Sequence, residues 1–219
     1  MDFYDVLRSR QSVRAYEPRE VPEADLRKIF EAAQRAPSWC NIQPWRVTLL
    51  SGEARERLRT ALVSATSAAM PNPEVAFPPD YPEPYQSHRR ECAKVLYRAM
   101  GIARDDREAR HGAWMRNFAS FDAPHVAILS VDTRLGFYVG VDVGSWLQSF
   151  LLAAHAAGVA TCPQASVAIY PEAVRSIVDL PEHSEILFGI AVGYPAQGAP
   201  ENNARTSRTA IEEQIRFLR

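Results

Sequence analysis

The chain has neither of the glycine-rich signatures that cradle a nucleotide phosphate with backbone amides. No G-x-G-x-x-G and no G-x-x-x-x-G-K-[ST] occurs, and the glycines at 136, 140 and 144 have the wrong spacing. Any phosphate must therefore be held by side chains. Cysteine is scarce: Cys40, Cys92 and Cys162 are odd in number and far apart, which argues against a disulfide framework and suits a reducing, cytoplasmic setting. No Cys or His pair has zinc-ligand spacing, so no metal is expected. A Cys–His hydrolase remains possible on inventory, but nothing places any histidine beside a particular cysteine. The most apolar stretch, 143–160, is broken by Gln148 and His155 and is too short to cross a bilayer. The opening Met1-Asp2-Phe3-Tyr4-Asp5 lacks a basic region followed by an apolar one, so no signal peptide is expected. Charge is balanced as well. Twenty-five Lys and Arg against 26 Asp and Glu give −1, which argues against nucleic-acid partners and makes any basic site local.

The 219 residues are 47% hydrophobic and 23% charged, as in a globular chain with one sizeable core, so a single domain over 1–219 is expected. A short helix is read at 2–11. A second, amphipathic helix opens at Pro22 with Leu26, Ile29, Phe30 and Ala33 at helical spacing. A strand follows at 45–50 and a helix at 53–69. Six prolines between 71 and 84 then preclude regular structure, while Phe77, Tyr81 and Tyr85 give that loop faces to pack with. Helices are read at 86–101, 106–119, 143–157 and 171–178, and strands at 124–131, 159–162, 165–169 and 186–192. The polar tail becomes amphipathic at Ile211, Ile215 and Leu218. Strands and helices do not alternate regularly, so the layout is α+β with about five strands and not doubly wound.

Two arginine clusters stand at opposite ends: Arg8-Ser9-Arg10-Gln11-Ser12-Val13-Arg14 and Arg205-Thr206-Ser207-Arg208. Each alone reads as a solvated face. Forked guanidiniums beside hydroxyls nevertheless suit a phosphate. Between them, Pro37-Ser38-Trp39-Cys40-Asn41-Ile42-Gln43-Pro44-Trp45 sets amide groups on a stiff backbone, which suits a planar hydrogen-bonding ring. A turn would explain its Pro, Ser and Asn but does not require Gln43.

Over nearly its whole length the chain resembles the FMN-dependent nitroreductases. The resemblance rests on Arg10-x-Ser12-x-Arg14, Pro37-Ser38-x-x-Asn41-x-Gln43-Pro44-Trp45, the helix bearing Gln148, Gly193-Tyr194-Pro195 and Arg205-Thr206-x-Arg208. Pro84-Tyr85, Arg89-Arg90, Leu96-Tyr97, Gly101-Ile102 and Arg116-Asn117-Phe118 are similar to the branch that includes nitrobenzoate reductases. The resemblance implies an intertwined homodimer around a mostly antiparallel sheet flanked by helices, with FMN at the subunit interface. Arg10, Gln11, Ser12, Arg14, Arg205 and Arg208 would then hold the phosphate. Pro37, Ser38, Trp39, Asn41 and Gln43 would reach the flavin of the partner subunit, and Pro163, Gln164, Ala165 and Ser166 would run along the ring. Many relatives carry a Glu-Gly or similar pair where Gln164 and Ala165 stand here.

The flavin would carry the hydride, so no side chain is expected to be catalytic; NAD(P)H and an aromatic acceptor would use one place in turn, which implies ping-pong kinetics. A substrate-side insertion at 71–121 would supply Phe77, Tyr81, Tyr85, Arg89, Arg90 and Arg116 to the acceptor. Nitroaromatic reduction is the reading. A quinone or enone reductase, a dehalogenase or a flavin dehydrogenase on the same fold stays open, as does a non-catalytic flavin-binding module.

Overall fold

Val126 to Leu129 reads as an unbroken apolar run because it forms part of a central strand covered on both faces. The structure, a computed structural model, describes residues 2–219. Among them, β1 (Arg46–Ser51), β2 (His125–Asp132), β3 (Ala160–Gln164) and β4 (Ser184–Gly193) make one sheet in the order β1-β2-β4-β3, with every neighbouring pair antiparallel. α1 (Phe3–Ser9), α2 (Glu23–Ala33), α3 (Gly52–Ala68), α4 (Tyr85–Ala99), α5 (Arg107–Met115), α6 (Val139–Ala156), α7 (Pro171–Arg175) and α8 (Ile211–Gln214) surround it.

Alternation along β2 sends Ala127, Leu129 and Val131 to one face, against α2 and α6, where Leu26, Ile29, Trp146 and Phe150 close the larger core. Val126 and Ile128 point to the other face, against Leu58 and Leu62 of α3 and Val174 of α7. A register shift opposite Leu129 and Ser130 lets Ile186 and Ile190 of β4 serve opposite faces although they are an even number of residues apart.

The expected strand at 165–169 is instead a 3-10 turn, so the sheet has four strands and not five. Val167 lies flat over Gly189 of β4, where a Cβ would come within 2.8 Å of its side chain. The chain therefore folds across the sheet at this point instead of extending it. The helix expected from 143 begins four residues earlier at Val139, and the helix expected to reach 119 ends at Met115. Residues 71–84 contain no helix or strand, as their prolines require.

Candidate functional site

Residues 12–16 run beside β3 and across the sheet end. Ser12 bridges Thr161, the Val13 amide donates to the Thr161 carbonyl at 3.1 Å, and Tyr16 bridges Pro195. Val13, Tyr16, Cys162 and Ala191 form a small separate core beneath this segment. Burial pushes the Tyr16 phenol well up and the Cys162 thiol up, so both are neutral packing groups.

The C-terminal cluster is brought onto the same segment by one side chain that the sequence reading did not single out. Asn202, buried in a 3-10 turn over Pro200–Asn203, accepts the Arg14 and Ala15 amides at 2.8 and 3.1 Å. Its Nδ2 donates to the carbonyls of Ala15 at 2.9 Å and Ala196 at 3.3 Å, and its own carbonyl accepts from Arg205 at 2.8 Å. A single asparagine thus clasps the two ends of the chain.

Between them lies a cavity of about 370 Å³ whose walls include Arg10, Gln11, Ser12, Arg14, Arg205 and Arg208, with Cys92 and Leu96 of α4 on the far side. No carboxylate lines it among the described residues, and none of Arg10, Arg14, Arg205 and Arg208 forms an ion pair there. The Arg10 guanidinium is held below its ordinary value by burial first and by Arg208 second. Partly buried like charges without a counterion call for an anion. The Oε1 atoms of Gln11 and Gln164 and the Oγ of Ser166 are buried without a partner, and of these residues only Gln11 lines the cavity. The guanidiniums and the Ser12 hydroxyl form a donor set that fits a phosphate. Gln164 is held by its Nε2, which donates to the Asn117 carbonyl at 2.8 Å.

The Pro37–Trp45 loop lines no part of this cavity. It is rigid on its own account. Cys40, Asn41 and Gln43 take φ of 45°, 56° and 47°, the left-handed region that costs non-glycine residues about 1–3 kcal/mol each. Among the contacts that hold it, Ser38 Oγ accepts the Gln43 amide at 3.0 Å, Gln43 Nε2 donates to the Asn41 carbonyl at 3.1 Å, and Asp142 Oδ1 accepts the Trp39 amide at 2.9 Å. Asp142 sits buried in the first turn of α6, where the helix dipole favours a carboxylate, and its Oδ2 has no partner. The Trp39 ring stacks on Tyr138 and stays 70% exposed, which leaves Trp39, Asn41 and Gln43 facing outward.

The residues expected to meet the acceptor are not gathered together. Arg116 is committed to an ion pair with the largely buried Glu201. Arg89 lies 4.6 Å over the Tyr81 ring, Arg90 lies 3.9 Å from Glu83, and Phe77 and Tyr85 are exposed. None of them lines the arginine cavity.

Comparison with known proteins supplies the frame for these features. Residues 7–194 match the model of the Nitroreductase family. Nitroreductase NfnB of Mycolicibacterium smegmatis is 38% identical over 98% of this chain and 92% of its own length. A 4-nitrobenzoate reductase of Nocardioides sp. is 32% identical over 99% of this chain and 90% of its own. The crystal structure of the FMN and NADPH-dependent nitroreductase NfnB from sphigopyxis sp. strain HMH superposes with a TM-score of 0.96 at 33% identity, covering 100% of this chain and 99% of that one.

Proposed function

Because the chain belongs to the nitroreductase family, we propose that it is an FMN-dependent NAD(P)H oxidoreductase that reduces nitroaromatic compounds. The observation that carries the cofactor is the cavity walled by guanidiniums from both ends of the chain with no carboxylate in its lining. When bound, FMN supplies hydride-carrying chemistry between a nicotinamide donor and the acceptor.

The chain's own residues bind and orient. Arg10, Arg14, Arg205 and Arg208 would neutralise the phosphate, with Ser12 adding a hydroxyl and Gln11 an amide. Pro163 and Gln164, which end β3, and Ala165 and Ser166, which follow it, would run along the ring. Alternating use of one place by donor and acceptor would give parallel double-reciprocal plots.

We further propose a homodimer in which Ser38, Asn41 and Gln43 reach the flavin bound by the second copy. Two features support it. The loop that carries them is fixed from within yet turned away from its own arginine cavity. Phe137, Tyr138, Ile211, Ile215, Phe217 and Leu218 are all more than half exposed, large apolar side chains that a second copy would cover. The Phe77, Tyr81, Tyr85, Arg89 and Arg90 segment would meet the acceptor only if dimer formation or binding draws it over the ring, and Arg116 would act there only by leaving Glu201. No helix among the described residues is long and apolar enough to cross a membrane, and a cytoplasmic setting is part of the proposal.

The test is anaerobic. The purified protein should release FMN on denaturation, its flavin absorbance should bleach on adding NAD(P)H, and a nitroaromatic should restore it. Released FAD, no flavin, or bleaching that no nitroaromatic reverses would refute the reading. Sedimentation at micromolar concentration should show a dimer, and a folded, flavin-loaded monomer would contradict that part.

A further inference from the structure

A second concavity lies on the other face of the helix that closes the arginine cavity. Cys92 and Leu96 of α4 face that cavity, whereas Arg90, Lys94, Tyr97 and Arg98 face a groove of about 780 Å³ completed by Arg104 and Arg110. Five cations line it, together with the aromatic Tyr97 and no carboxylate. Some of this charge is spoken for at the rim. Arg90 lies 3.9 Å from Glu83 and Lys94 3.4 Å from Glu91. Arg98, Arg104 and Arg110 pair with no carboxylate among the described residues, although Asp105 borders the adjoining hollow beside Arg104.

The groove is a built feature and not three stray side chains. Gly101, in the left-handed region at φ 70°, turns the chain so that its amide caps the Arg98 carbonyl and the Ile102 amide caps the Tyr97 carbonyl. The helix end is thereby closed by backbone, and the guanidiniums are not consumed there. Arg110 stands 5.1 Å over the Tyr97 ring and donates to the Arg104 carbonyl at 3.0 Å, which fixes one fork beside one flat face. A guanidinium-rich wall beside an aromatic face suits a ligand that joins a dianionic phosphate to a flat heterocycle.

We infer that this groove binds the 2′-phosphoadenosine end of NADPH and so sets a preference for NADPH over NADH. The inference rests on the donor reading above. That reading leaves open which nicotinamide nucleotide is used, and the groove answers it through the one group that distinguishes the two. Arg98 and Arg104 would take the phosphate and Tyr97 the adenine, with Arg110 holding the ring in place.

Calorimetry on the protein as purified tests binding directly, with 2′,5′-ADP, 5′-AMP and inorganic phosphate as probes. The expected result is that 2′,5′-ADP binds at least tenfold tighter than either other probe, and that Arg98→Gln and Arg104→Gln each weaken it at least tenfold. The ratio of kcat/KM for NADPH to that for NADH should fall at least tenfold in the same variants. Absent 2′,5′-ADP binding, equal affinity for 5′-AMP or phosphate, or unaltered affinity in both variants would overturn the inference. Because calorimetry needs neither turnover nor flavin, a protein that binds 2′,5′-ADP as described but oxidises no nicotinamide nucleotide would refute the oxidoreductase reading and leave the groove standing. A protein that turns over NADPH and NADH with a ratio indifferent to both variants would do the reverse.

Discussion

Replacing Asn202 with alanine tests whether the phosphate cavity depends on the clasp between chain ends. The side chain makes four hydrogen bonds to backbone: two amides donate to Oδ1, at Arg14 and Ala15, and Nδ2 donates to the carbonyls of Ala15 and Ala196. Each is worth about 0.5–1.5 kcal/mol net, which bounds the sum at about 2–6 kcal/mol. The contact to Ala196 is long at 3.3 Å, and water entering the vacated space would satisfy part of the rest. A loss of about 3 kcal/mol is therefore expected, which for a domain of this size lowers Tm by roughly 6–12 °C. The measurement belongs on flavin-free protein, since bound ligand adds its own stabilisation and would mask the difference.

Affinity separates this effect from ordinary destabilisation. Arg208 hydrogen-bonds only to Thr206 and Ser207 beside it and is exposed, so Arg208→Ala should move the flavin-free Tm little while weakening FMN by about 10- to 150-fold. Asn202→Ala should lose both stability and affinity. Asn202→Asp keeps the acceptor half but sets a second oxygen against the carbonyls of Ala15 and Ala196, so it should not rescue. If Asn202→Ala melts with the parent and titrates with FMN as the parent does, the two clusters are not held together by this residue and the argument fails.

The sequence made the arginine clusters conspicuous because forked guanidiniums stand beside hydroxyls at both ends of the chain. Nothing in their spacing said that they meet, since that depends on Asn202, a single amide whose partners are backbone groups up to 188 residues away. Asp142 was equally hidden. A lone acid between Gly140 and Gly144 reads as a residue at a helix boundary. In the structure it lies inside the first turn, where the amide it accepts belongs to a loop 103 residues earlier. The apolar periodicity of α2 and the double-faced run of β2 were legible because burial imposes them residue by residue. The 165–169 segment misled for the same reason. Val167 and Ile169 alternate as a strand would, but a close approach to Gly189 cannot be read from one strand's pattern. Arg116 illustrates a further limit: its charge is visible in sequence, while the carboxylate that engages it comes from a turn 85 residues on.

Asp142→Ala should free the Trp39 amide and let the left-handed run relax. A charge-assisted bond is worth about 1.5–3 kcal/mol, so hydrogen exchange at Trp39 should quicken by about 10- to 150-fold while the sheet amides keep their protection. Unaltered exchange there would mean that the Ser38 and Gln43 contacts suffice to hold the loop. The remaining expectation concerns acid. His125 is almost fully buried, accepting the Val21 amide at 2.9 Å on Nε2 and donating from Nδ1 to the Ser51 hydroxyl, so the folded chain needs the neutral imidazole. Burial lowers its pKa, with Glu20 opposing weakly, and His155 is lowered by burial and then by Arg10. Between the folded value and the unfolded value near 6.5, the unfolded chain binds more protons than the folded one. Stability therefore rises with pH across that window; the contribution is complete above about 6.5 and is lost as pH falls through it. Urea unfolding of flavin-free protein should show this slope, and His125→Gln, which has no proton to take up, should flatten it. A slope as steep in the variant as in the parent would show that His125 is not a source of the acid sensitivity.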